Sequence, residues 1–202
     1  MKSFPTANQL SGRAIGSIFF IVFGAAWLFL SLAAKEQLNF ATISGTLLGA
    51  FVLLVCALYL KRQAKRWPSV PVDPSMGRTF GWINVIQWTA VFIAAFTLGR
   101  LHLDAYTTSA ITAIIGLHMF PLARLFHYRM HYATGALLVV WAMASAVFAP
   151  VDQMQGTTAL GTGAILWLSA ATTLAIAVKA ARQSTDGQLI VQAGSETTLR
   201  RA

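Results

Sequence analysis

Charge is what this chain has least of. Only 10% of its 202 residues are charged, and only six are acidic; soluble domains carry roughly 25% charged residues. A water-soluble globule of this length has no means of hiding a 56% hydrophobic composition, so the bilayer is its solvent. No acidic residue lies deep in an apolar run, which counts against a carboxylate-based proton or sodium carrier. Cysteine is nearly absent as well. Cys56 stands alone inside an apolar run, which excludes an internal disulfide and reads as a small buried hydrophobe. There is no Walker loop, no HExxH, no GxSxG and no CxxCH, so no enzyme class is indicated and no cofactor is implied.

The shortage of acids leaves a net charge of +9. Nucleic acid is nevertheless excluded as a partner, because the basic residues sit in short clusters between apolar runs, the pattern of a membrane protein. Six such runs occur: 14–34, 40–60, 79–99, about 105–126, 132–149 and about 157–178. Each is about twenty residues long, enough to cross ~30 Å of hydrocarbon at ~1.5 Å per residue. Ser31-Leu32-Ala33 resembles a signal-peptide cleavage triplet, but the first run is longer than a signal peptide's apolar region and is read as a retained helix. A basic, proline-rich stretch after Leu60, reaching to about Arg78, is the clearest internal boundary, and Pro150 ends the fifth run. The division expected is an N-terminal segment 1–13, a six-helix domain 14–182 and a polar, mobile tail 183–202.

Lysine and arginine set the orientation. With the N-terminus in the cytoplasm, thirteen of the fifteen basic residues fall inside, and only Lys35 and Arg100 fall outside. The bias predicts an all-α, multi-pass protein of three helical hairpins with both ends cytoplasmic, in a bacterial inner membrane. Its partners are then the bilayer itself, anionic lipid at the basic loops, and a second copy of the chain. Glycines at 12, 16 and 24, at 45 and 49, and at 161 and 163 are placed to let helices approach closely. Trp27, Trp67, Trp82, Tyr106, Tyr128, Tyr132 and Trp141 read as aromatics of the interface.

The residues with most chemical potential lie in 116–131. His118 falls in the fourth run, where an ionisable side chain is costly and should face the interior. Pro121 removes a ladder donor near the carbonyl of Leu117, and Gly116 adds freedom, so a structural kink is expected here. Asn84 and Gln87, three apart, share a face of the third run, either as interhelical glue or as the lining of a polar path with His118. Arg124 supplies a basic mouth. His127 and His131 are four apart and would share a face if the helix continued, a possible metal or haem spacing opposed by Arg124 and Arg129. Thr112, Ser145, Ser169, Thr172 and Thr173 can each bond to their own backbone and receive no role.

Gly-Leu-His-Met-Phe-Pro-Leu-Ala-Arg-Leu-Phe at 116–126, followed by Tyr132-Ala133-Thr134-Gly135, resembles a GLHFxPLAxxF…YYxTG pattern of small uncharacterised bacterial six-helix membrane proteins. The likeness covers about twenty residues and departs at Met119 and at the His127/His131 pair. It implies an architecture and no activity. The leading expectation is small-solute or ion transport with a polar site at His118, Asn84, Gln87 and Arg124. The alternative is a non-transporting lipid-binding, sensory or assembly factor, and a haem or metal protein using His127 and His131 comes last.

Overall fold

The structure, a computed structural model, describes residues 6–65 and 74–199, with the side chains of position 74 and of 181–199 left aside. The proline-rich stretch between the second and third helices therefore falls largely outside the described residues. Six α-helices follow one another: α1 (Ala7–Ala34), α2 (Phe40–Ala64), α3 (Pro74–Arg100), α4 (Thr107–Leu125), α5 (Met130–Phe148) and α6 (Met154–Leu199), with a 3-10 turn at Asp104–Tyr106. All six are long and apolar enough to cross a membrane. The chain is a multi-pass, all-helical membrane protein.

The helices start and stop for local reasons. At α1, the Thr6 hydroxyl accepts from Gln9 N–H while the Gln9 side chain accepts from Thr6 N–H, both at 3.3 Å. This reciprocal cap starts α1 at Ala7, seven residues before the apolar run, so the first turns belong to the helix and not to a separate segment. Asn39 and Thr42 form the same box at α2, both bonds at 3.1 Å. Three helices end alike. After α1, Gln37 N–H bonds to the Leu32 carbonyl; after α3, Leu103 N–H bonds to Leu98; after α4, Tyr128 N–H bonds to Ala123. In each case the residue between carries a positive φ: Glu36 at 53°, His102 at 55° and His127 at 49°. These are Schellman endings with the usual glycine position held by a larger residue. At its far end α6 continues as helix through 183–199, where a mobile tail was expected; its membrane-competent part ends at Ala180.

α6 is the hub, packed against α1, α2, α4 and α5. The three sequential hairpins are present, but the most extensive seams run between hairpins, α1 on α6 and α4 on α5. α2 is outer, against α1 and α6, and α3 is outermost, against α4 and the 3-10 turn. Lipid offers no hydrophobic force between helices, so these seams depend on close backbone approach. The α4–α5 seam closes on Gly116 and Gly135: a Cβ on Gly135 would lie 2.6 Å from the Gly116 carbonyl oxygen, and one on Gly116 would lie 2.8 Å from that of Gly135. The α1–α6 seam closes similarly on Gly24 and Gly163. Gly12, Gly16 and Gly45, expected to serve packing, have open space where a Cβ would go.

Two tryptophans fill the remaining notches. The Trp167 ring lies against Gly24 and Gly49, and its Nε1–H donates to the Ile21 carbonyl at 3.0 Å. The Trp141 ring lies against Gly161, and its Nε1–H donates to the Thr158 carbonyl at 3.1 Å. Trp141 thus sits mid-helix in the core of the bundle and not at an interface. Cys56 is exposed on α2, toward lipid, and not buried as its apolar setting implied.

Candidate functional site

Hydroxyl groups line α6 for most of its apolar length. Ser31 donates to the Gly156 carbonyl at 2.7 Å, Ser109 meets Thr158 at 3.1 Å, and Thr112 meets Thr162 at 3.0 Å. Because Thr162 gives its proton to the Thr158 carbonyl at 2.8 Å, Thr112 is the donor to Thr162. Further along, Thr134 donates to Ser169 at 2.9 Å and Tyr128 donates to Thr173 at 3.2 Å. Residues 158, 162, 169 and 173 recur at helical spacing, so they form one stripe. Their satisfied pairs make this stripe a fastening, for a buried hydroxyl is cheap in lipid once bonded.

The pattern changes at one end of the bundle. This end collects Arg13, Lys61, Arg62, Lys65, Arg78, Arg124, Arg129 and Lys179, and no described side chain there is a carboxylate. The described acids Glu36, Asp104 and Asp152 sit in the connections at the opposite end. Within the basic end, α1 presents Arg13, Ser17 and Phe20 as a single stripe. The Arg13 guanidinium lies over the Tyr128 ring at 5.2 Å from its centroid. The Phe20 ring meets His131 edge-on at 5.8 Å, and Tyr128 meets the same imidazole at 5.2 Å. Phe126 adds a fourth ring, 6.3 Å from His131, and is itself 5.9 Å from Phe80 of α3.

Ser17 is bracketed by these contacts. Its neighbours one turn away on either side, Arg13 and Phe20, touch Tyr128 and His131. Ser17 is 1% exposed, and its Oγ has no hydrogen-bond partner. Nδ1 of His131 is likewise buried and without a partner. These are the two such side-chain atoms among the described residues. A buried polar atom left unbonded costs about 1–3 kcal/mol, and such atoms call for a physical reason.

The residues expected to form a site are placed as follows. His118 is half-buried on α4, its Nδ1 donating to the Ile115 carbonyl of its own helix at 3.3 Å, and it lies within electrostatic range of His131. Gln87 lies on the α3 face that includes Ile83 and Val91, partly or fully buried in a helix whose helical neighbour is α4. The Phe80–Phe126 contact sets the register of this antiparallel pair. Seven residues beyond Phe80, ~10 Å along the axis, Gln87 comes level with His118. Asn84 donates to the Phe80 carbonyl of its own helix at 2.8 Å and not across to a neighbour. Arg124 is exposed at the basic end.

Pro121 does not shape an interior site as expected. α4 runs through it as helix, and both Pro121 and Leu117 are exposed, so the missing ladder bond lies on the outer side. Gly116 serves the seam with α5 instead. The face shared by His127 and His131 does not form, because α4 ends at Leu125 and His127 occupies the left-handed turn before α5. No group of three or more His, Cys, Asp or Glu able to hold a metal occurs among the described residues.

Arg13, Ser17, Tyr128 and Thr173 were not singled out as site residues by their sequence. Arg13 reads as an ordinary flanking charge, and a serine in an apolar run reads as neutral. The signal was their spacing, a basic residue followed by a hydroxyl one turn into the membrane. Comparison with known proteins gives no match to a protein-family model, a curated protein or a solved structure.

Proposed function

We propose that the protein transports a small solute or ion across a bacterial inner membrane, with both chain ends cytoplasmic. One observation carries the reading: Ser17 Oγ and His131 Nδ1 are buried toward the basic end and bond to nothing in the protein. A scaffold gains nothing from two unmet polar atoms in lipid, whereas a passing solute or its water can meet them. His118 on α4, Gln87 level with it, Asn84 a turn nearer the basic end and Arg124 at the mouth extend the path toward α3.

The test is solute flux through purified protein in liposomes. Wild-type protein gives flux above protein-free vesicles, and Ser17→Ala and His131→Asn reduce it without loss of folded protein. Flux equal in all three preparations would refute the assignment.

A second reading rests on a different place. An open pocket of about 210 Å³ between the start of α1 and the end of α2 is lined by Ala7, Asn8, Ser11, Lys61, Ala64 and Lys65. This suits the phosphate of an anionic lipid, as a non-transporting lipid-binding factor requires. Lys61→Ala with Lys65→Ala then weakens binding to anionic vesicles.

A further inference from the structure

We infer that the solute is a small monovalent anion, held by Arg13, Ser17 and His131 as it enters from the basic end; this rests on the transport reading and adds the substrate class.

Each of these three polar groups can donate a hydrogen bond, and one of them is a fixed positive charge. Arg13 is half-buried, fixed over Tyr128, and carries donors with no acceptor. One turn deeper is the unbonded hydroxyl of Ser17; the next residue of that stripe, Phe20, touches the ring of His131, whose Nδ1 is also unbonded and donates when it bears the ring proton. The hydroxyl proton of Tyr128 is already given to Thr173, so Tyr128 is not itself a donor to the solute. The surrounding rings of Phe20, Phe126 and Tyr128 leave little room for a large hydrated ion and raise the value of each polar contact by excluding water.

The field has the same sign. The eight basic side chains named above ring this end with no described carboxylate among them, while the described acids lie at the other end. Such a field concentrates anions at the mouth and repels cations. A cation that entered would meet no carboxylate within the apolar length of any described helix. An anion would meet Arg13 within the first turns of α1. The groups that replace lost water therefore favour the anion at each step.

The experiment is ion flux in liposomes, with chloride, nitrate, formate and acetate as one arm and potassium, ammonium and glycerol as the other. The expected result is anion flux driven by membrane potential. Arg13→Gln lowers it about tenfold, the scale of one lost charged hydrogen bond, and Arg13→Lys retains part of it. Inorganic ions passing while carboxylates do not, or the reverse, fixes which anion the site takes. Flux of potassium, ammonium or glycerol exceeding that of every anion, and lost in Ser17→Ala, overturns the anion assignment and keeps the transport reading. No flux of any solute overturns both. If Arg13→Gln does not yield folded protein, Arg13→Lys and Ser17→Ala carry the same comparison.

Discussion

The stripe along α6 and the cluster at the basic end use similar residues to different ends. Along the stripe, Thr112 finds Thr162, Ser109 finds Thr158, and Trp141 and Trp167 each find a carbonyl. In the cluster, Ser17 and His131 are as thoroughly enclosed at their polar atoms and find nothing. A hydroxyl in a membrane helix is therefore not informative by itself. Whether its partner is supplied by the protein separates fastening from function.

The largest effect expected lies at the seams, where the two regions share a frame. Gly135→Leu drives a side chain into the Gly116 carbonyl and should cost about 1–3 kcal/mol or prevent folding. Gly16→Ala, with open space at its Cβ, should leave thermal unfolding in detergent unchanged or raise it slightly. Equal damage from both would erase the distinction between seam and surface.

A smaller effect is expected on the stripe. Thr162→Val strands the buried Thr112 hydroxyl and should cost about 1 kcal/mol. Adding Thr112→Val removes the stranded group, so the double variant should be no less stable than the single one. Strict additivity would mean that the pair is not a coupled fastening.

The smallest effect is a gain. His127 carries a left-handed backbone that glycine tolerates better, so His127→Gly should raise stability by about 0.5 kcal/mol. A loss on thermal unfolding would show that the imidazole has a contact outweighing the backbone strain.

Much of the architecture was legible in the sequence. Run length against hydrocarbon thickness is a strong constraint, and it returned six spans in the right places. The ends were less legible. The Thr6–Gln9 box carries α1 into the polar N-terminal segment, because capping acts on the backbone and not through hydropathy. The break between Leu125 and Met130 was visible as a gap between apolar runs, but its left-handed turn at His127 was not, because a Schellman ending built on histidine has no glycine to announce it. His118 and Gln87 were placed at a common depth by an antiparallel register that hydropathy sets only approximately. The cluster itself was illegible, because it depends on α1 and α5 meeting across α6, and nothing local in either helix encodes that meeting. Gly24 and Gly135 were visible as small residues, but their partners were not.

Ser17 is kept for function at the expense of packing. The direct measurement takes wild type and Ser17→Ala in the same preparation and records thermal unfolding and solute flux together. The account predicts that the alanine variant unfolds at the same or a higher temperature, because no bond is lost, while its flux falls. A lower unfolding temperature with flux intact would make Ser17 part of the scaffold and contradict the assignment.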